Sequence, residues 1–328
     1  MKRVFCALLC AAMLFGMSGC GDKEETVKPG DRSEDGQSNV AELEPHEVTF
    51  TDDLGRQITM PRPRRVAVLI GSFADVWKLA GGTETIVAAA HDAWTQFELG
   101  LDEDVADLGP IKEPNMELLL ASEPDFVIGS TKTAADVNMI EVLDEMGIPS
   151  AMFNVSSFED YLRMLDVCTQ ITGARKNYET YGTDLAAHVE AARARADGSR
   201  PTVLYVRATG SSCKVKNSQN TVLGEMLADM DCVNIADSQT GLLENLSMET
   251  ILAADPDHIF IVLQGSDPSR AQKTLEEALL SNPAWESLTA VQQGRLHFMD
   301  EKLYSLKPNV RWGEAYEQLA DILYPDAV

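Results

Sequence analysis

Two rhythms of apolar and polar residues alternate along this chain. Compact apolar runs at residues 65–70, 86–90, 126–129 and 150–153 read as buried strands. Stretches with apolar residues three and four apart lie between and after them, at 73–80, 116–121, 135–146 and 158–171, and read as helices. Ahead of these, Val48-Thr49-Phe50-Thr51 alternates, Asp52 to Arg56 turns, and Gln57-Ile58-Thr59-Met60 returns, which predicts a β-hairpin. The alternation resumes later, with strands at 202–206, 233–235, 258–262 and 296–299 and helices at 221–230, 248–253, 269–280 and 312–323. Strands alternating with helices predict mostly parallel sheets.

Residues 174–197 separate the two series and read as one helix. Tyr178, Tyr181, Leu185, Val189 and Ala192 line one face, while Gly198, Ser199 and Pro201 stop it. Gly182 inside it costs about 1 kcal/mol of helix propensity. At 1.5 Å per residue the helix would be roughly 36 Å long, enough to run beside a whole domain. The expected fold class is therefore α/β, with two similar α/β lobes, central mostly parallel sheets and one long backbone helix joining them.

The two series also repeat in detail. The stretch from Asn115 to Ile128 aligns with that from Ser247 to Phe260, and six of the fourteen pairs are identical. Each copy has a polar N-cap, a glutamate in the first helical turn, an apolar helix, a Pro-Asp break and a buried strand. Glu117 and Glu249 hold equivalent places.

Charge narrows the function. The 328 residues carry 27 basic and 52 acidic side chains, a formal net charge of −25. Such a surface repels nucleic acid and anionic headgroups, so an anionic ligand would need a local basic patch. At the N-terminus Lys2 and Arg3 precede an apolar run from Val4 to Phe15, then small residues and Cys20. That run is too short to span a bilayer and reads as an export signal over residues 1–19. Met17-Ser18-Gly19-Cys20 resembles a bacterial lipoprotein box, which would place a lipid on Cys20; cleavage as an ordinary secretory signal is the alternative. Residues 20–46, rich in charge, Gly and Ser, read as a disordered tether. Cys168, Cys213 and Cys232 fit no metal motif, and either a Cys213–Cys232 pair or buried free thiols is open.

The hairpin, the Pro-Arg-Arg strand after it, both Glu-helix-Pro-Asp-strand repeats and the helix between them carry a family likeness. So does the tail Asn282-Pro283-Ala284-Trp285 with Val291-Gln292-Gln293-Gly294-Arg295-Leu296. Over residues 47–325 the chain resembles the helical-backbone (class III) substrate-binding proteins of ABC importers, which take up ferric siderophores, heme and cobalamin. The resemblance implies an N-terminal lobe at 47–173, the backbone helix at 174–197 and a C-terminal lobe at 198–328. It implies a ligand between the lobes, an ABC permease and its ATPase as partners, no enzymatic activity, a monomer, and a lipid anchor as the sole covalent group. Glu117 and Glu249 would dock on the permease; a first-turn acid favoured by the helix dipole is the plainer reading of each.

Open α/β sheets bind ligands at the carboxyl ends of their strands. Those loops carry Ser72, His91, Trp94, Ser130 and Lys132 in the first half, and Arg207, Lys214, Lys216, Gln264, Tyr304 and Lys307 in the second. Arg207 follows an apolar strand, and Trp94 in a polar loop offers a stacking surface. Tyr304 and Lys307 could cap the cleft, whereas alternating Lys214 and Lys216 fit a solvated edge as well. His91 could ligate heme iron or cobalt, although a lone loop histidine is more often surface. The scattered histidines argue against a bare zinc or manganese carrier. A ferric siderophore or similar iron(III) chelate is the expected ligand, with heme or cobalamin next. A secreted hydrolase using paired carboxylates is the competing class, but no Gly-x-Ser-x-Gly, Walker loop or His-Glu-x-x-His is present. A sensor or adhesin lipoprotein is the third reading.

Overall fold

The computed structural model describes residues 47–325. The expected signal segment, Cys20 and the tether lie outside the described residues. Strands β1 (Glu47–Thr51) and β2 (Gln57–Pro61) pair antiparallel. Their turn is held by Asp52, whose Oδ1 accepts the Leu54 and Arg56 amides, and Gly55 supplies the left-handed residue with φ of 78°. Asp52 Oδ2 also accepts the Met152 amide, which fastens the hairpin to the first half.

Strands β3 (Val66–Val68), β4 (Ile86–Ala89), β5 (Ala106–Asp107), β6 (Phe126–Ser130) and β7 (Ser150–Phe153) form a parallel sheet in the order β5-β4-β3-β6-β7. Every residue of β3, β6 and β7 is buried, as expected of a parallel sheet with helices on both faces. The second sheet contains β8 (Thr202–Thr209), β9 (Cys213–Lys216), β10 (Val233–Asn234), β11 (His258–Gln264) and β12 (Leu296–Met299). Its parallel order is β10-β8-β11-β12, and β9 lies antiparallel along the upper half of β8.

The connecting helix departs from the regular run expected over 174–197. It starts with Arg175–Tyr178, widens into a π-helical turn at Glu179–Thr183, and continues as Asp184–Arg193. A Cβ on Gly182 would press against the Tyr178 ring and the Leu162 methyl at 3.3 and 3.4 Å, so the glycine lets the turn pack closely there. The Tyr161 hydroxyl donates to the Tyr181 carbonyl within this turn. Val189 and Ala192 are buried on the expected face, and Tyr178, Tyr181 and Leu185 pack beside them.

The internal repeat extends further than its sequence suggests. Asn115 and Ser247 accept the Leu118 and Thr250 amides as N-caps. Glu123 and Asp255, also equivalent, both adopt left-handed backbone, with φ of 44° and 36°. Asp125 then accepts the Arg64 and Arg65 amides, and Asp257 accepts the Thr202 amide. Each Pro-Asp break thus caps the strand that opens its half.

One apolar core runs through both halves, including Trp77 and Phe126 from the first, Tyr205 and Phe260 from the second, and Trp312 and Tyr316 of the closing helix Trp312–Leu323. Smaller clusters fill the outer face of each sheet. Cys168, Cys213 and Cys232 are all free thiols. Among the described residues no helix is long and apolar enough to cross a membrane.

Candidate functional site

The register of the second sheet builds one wall of the cleft. Strand β8 continues to Thr209, so Arg207 is a strand residue rather than the first loop residue. Arg207 pairs with Lys214 on β9 and with Val262 on β11, and Tyr205 pairs with Lys216 and Phe260. Val215 pairs with Val206 and packs with Leu204 and Ala208 in the outer core. Side chains alternate along a strand, so Lys214 and Lys216 share the opposite face with Tyr205 and Arg207.

That face is short of counter-charge. Among the described residues, Arg207, Lys214, Lys216 and Lys307 have no carboxylate within ion-pairing distance. Burial, then Arg207 and Lys214, pushes the Lys216 ammonium below its ordinary range. Burial, then Arg207, does the same to Lys307, against the opposing pull of Asp92 from the first half.

The first half supplies a wall of different character. Asp92 opens the short helix Asp92–Thr95, and its Oδ1 accepts the Gly71 amide at 2.8 Å. A Cβ on Gly71 would lie 2.5 Å from the Ala93 nitrogen, so only glycine permits this approach. Burial raises the Asp92 carboxyl to about 6, despite that hydrogen bond and the nearby His91 and Lys307. Behind Ser130, Asp136 is fully buried; its Oδ2 accepts the Ser130 amide at 2.8 Å, and its Oδ1 has no partner among the described residues. Burial raises Asp136 to about 7.

Side chains cross between the halves at several points. Lys132 Nζ donates to Asn220 Oδ1 at 2.9 Å. Buried Asn309 donates from Nδ2 to the Ser72 carbonyl at 2.9 Å and to Asp75 Oδ2 at 2.8 Å. Arg193 of the backbone helix meets Glu159 of the first half and Asp229 of the second. A hollow of about 200 Å³ remains between the halves, lined by Asp75, Gln96, Phe97, Lys302, Lys307 and Arg311 among others.

The candidates from sequence are therefore distributed unequally. Arg207 and Asp92 both lie close enough to Lys307 to act on its charge. Ser72 and Ser130 are nearly closed off, at 3% and 5% exposure, and offer backbone more than hydroxyl. Lys132 is exposed and engaged with Asn220. Trp94 is half-buried and packs against the core, so at most one face is available for stacking. His91 is exposed, with Nδ1 2.7 Å from Asp107 Oδ2, which occupies one ring nitrogen.

Tyr304 requires a correction: it is 1% exposed and its hydroxyl donates to the Ala315 carbonyl at 2.9 Å. The closing helix takes up both its ring and its hydroxyl, leaving nothing for a cap over the cleft. Glu117 and Glu249 are exposed in the first turns of their helices. Sequence reasoning passed over Asp92 and Asp136, and left Lys214 and Lys216 undecided. The alternation in Cys-Lys-Val-Lys carried part of that signal, since it puts both lysines on one face. Among the described residues no group of three or more His, Cys, Asp or Glu is placed to hold a metal ion.

A protein-family model described as "Periplasmic binding protein" matches residues 66–303. A putative ABC transporter substrate-binding lipoprotein, YhfQ of Bacillus subtilis, is 25% identical over 292 residues, covering 85% of this chain and 88% of the relative. The Fe(3+)-citrate-binding protein YfmC of the same organism is 24% identical over 310 residues, covering 92% and 90%. The solved structure of Staphylococcus aureus SirA complexed with staphyloferrin B shares the fold, with a TM-score of 0.63, 22% identity, and coverage of 85% of this chain and 97% of that one. With a family match spanning most of its length and a two-lobed α/β fold to accompany it, this chain belongs to the periplasmic binding proteins, a family of substrate-binding transport proteins rather than enzymes.

Proposed function

We propose that this protein is the substrate-binding lipoprotein of an ABC importer, capturing a ferric siderophore or similar iron(III) chelate between its lobes. The observation that carries this reading is the pair Arg207 and Lys307, which among the described residues have no carboxylate within ion-pairing distance, in a chain of net charge −25. An oxygen-rich anionic chelate supplies the missing counter-charge, and a guanidinium is suited to its planar oxygen groups. The likeness to an Fe(3+)-citrate-binding protein agrees with that choice.

In this reading residues 47–173 and 198–328 are the two lobes and 174–197 the backbone helix. Export through 1–19 and lipid attachment at Cys20 tether the binding unit to the outer face of the cell membrane. Ser72, His91, Trp94, Ser130, Lys132, Arg207 and Lys307 border the ligand, while Glu117 and Glu249 meet basic residues of the permease. The matched, exposed placement of the two glutamates supports docking.

Native mass spectrometry of the purified protein against ferric citrate, ferric hydroxamate, ferric catecholate, heme and cobalamin tests the reading. A one-to-one complex with an iron(III) chelate is expected. Complexes with heme or cobalamin alone would redirect the ligand within the family, and retention of none would remove the transport role. Uptake of radiolabelled chelate in cells tests docking separately. Changing Glu117 and Glu249 together to Ala should lower uptake while leaving equilibrium binding intact.

A further inference from the structure

We infer that His258 and His297, near the amino ends of β11 and β12, form a second binding site, one that takes a divalent late transition ion, copper(II) above all. The site stands apart from the proposed chelate cleft, which lies at the carboxyl ends of the strands.

The sheet makes the pair. The two histidines are 39 residues apart in sequence. In the parallel register His297 pairs with Phe260, so His258, two residues earlier on β11, falls on the same face. The two imidazole rings lie nearly parallel, 21° apart, and Phe260 stacks on His297. His258 Nδ1 lies 3.1 Å from His297 Nε2. Two ring nitrogens approach this closely only when one of them carries a lone pair, so at least one is unprotonated and ready to ligate.

That distance decides what the pair fits. An imidazole nitrogen sits about 2.0–2.1 Å from a zinc ion, and two such bonds spanning 3.1 Å subtend about 100° at the metal. The angle falls between the square and the tetrahedral values, so the pair can fill two adjacent positions on copper(II), nickel(II) or zinc(II). Calcium and magnesium prefer oxygen ligands and gain little here. To ligate through both facing nitrogens, the ring that holds the shared proton moves it to its other nitrogen.

The surroundings leave room for the rest of a coordination shell. A hollow of about 430 Å³ opens on the pair, lined also by Asp257, Arg295, Ile322 and Leu323. Two protein ligands are fewer than a closed structural site uses, so water fills the remaining positions. Asp257 accepts both Thr202 bonds on Oδ2, which leaves Oδ1 to accept from such a water. Arg295 is the opposing charge: it disfavours a bare dication and favours one that keeps an anion such as chloride. Strand β11 lies inside the sheet, between β8 and β12, whereas β12 is at its edge. An ion shared by the two histidines would staple the edge strand to its neighbour.

The test is calorimetric titration of the purified full chain with copper(II), nickel(II) and zinc(II) chloride in a buffer that does not bind metal. A one-to-one complex is expected, tightest with copper(II), and copper(II) should raise the thermal unfolding midpoint. Electron paramagnetic resonance of the copper(II) complex should show two imidazole nitrogens. His297→Gln should lose the bound equivalent and the rise in midpoint, while His188→Ala, at an exposed histidine elsewhere, should lose neither. No bound equivalent, copper(II) binding unchanged in His297→Gln, or fewer than two imidazole nitrogens in the resonance spectrum would overturn the inference. The spectrum of the unaltered protein keeps the test decisive if His297→Gln fails to fold. None of these outcomes touches the chelate reading, which is measured with iron(III) complexes.

Discussion

The two walls of the cleft hold ionisable groups of opposite sign, and burial moves each toward its uncharged form. On the first wall Asp92 and Asp136 are raised to about 6 and about 7. On the second, Lys216 and Lys307 are lowered, with like-charged neighbours adding to burial. The acids can meet this stress by holding a proton, since their raised values lie near neutrality. The lysines gain more from an anion than from losing a proton. The contrast gives the proposed cleft a direction: Asp92 and Asp136 can shed charge by holding a proton, while the second wall keeps its cations for an anionic ligand.

The strongest way to break this contrast is Asp136→Asn. Its folded-state value, about 7, lies above the ordinary 3.8, so the folded chain keeps a proton that the unfolded chain has released. The resulting penalty is absent below about pH 4, grows through that window and is complete above about pH 7. Asp136→Asn should therefore stabilise the protein at pH 8 by roughly 2–4 kcal/mol and much less at pH 4.5. Urea unfolding at both pH values measures this, and equal shifts at the two would show that Asp136 is not a buried acid under strain.

The next test removes the positive side. Arg207→Ala should weaken iron(III)–citrate by about 1.5–3 kcal/mol, the range for hydrogen bonds to charged groups. Titration by intrinsic fluorescence would report it, and unchanged affinity would take Arg207 out of the site. The smallest expected effect sharpens the contrast rather than breaking it. Asn220→Ala frees Lys132 from its cross-cleft bond, adding an available cation to the first wall. Affinity should rise by about 0.5–1 kcal/mol, the worth of one exposed bond no longer in competition. Weaker binding in this variant would mean that Asn220 itself touches the ligand.

Much of the architecture was legible in sequence because it depends on neighbours along the chain. Apolar runs, caps and the Pro-Asp breaks located the strands and most helices to within a few residues, and the aligned repeats exposed the twofold plan. Features set by distant partners were not legible. Tyr304 sits in Tyr-Ser-Leu-Lys-Pro, a stretch that looks like a surface loop, yet its hydroxyl finds the Ala315 carbonyl on the closing helix. Asp136 looks like an ordinary first-turn acid, and only packing against β6 reveals its burial. The edge strand β9 is four residues long with two lysines, too short and too charged to announce itself without β8 beside it. The π turn at Gly182 needed the contacts with Tyr178 and Leu162 to declare it.

Asn309 has a consequence for the rate of capture. It is buried in left-handed backbone, with φ of 51°, and holds Ser72 and Asp75 from the other half. Drawing the halves apart would break both bonds and leave the amide and its acceptors to find water. If that opening costs about 3 kcal/mol, fewer than about 1% of molecules are open at any moment. Capture then works less like a closing trap than like a fixed berth. An arriving anion has little ordering of the protein to wait for, and its association rate is set by diffusion and by the attraction of the positive wall. In the proposed importer role, release would then be the slower half of the cycle, because drawing the halves apart breaks the Asn309 bonds.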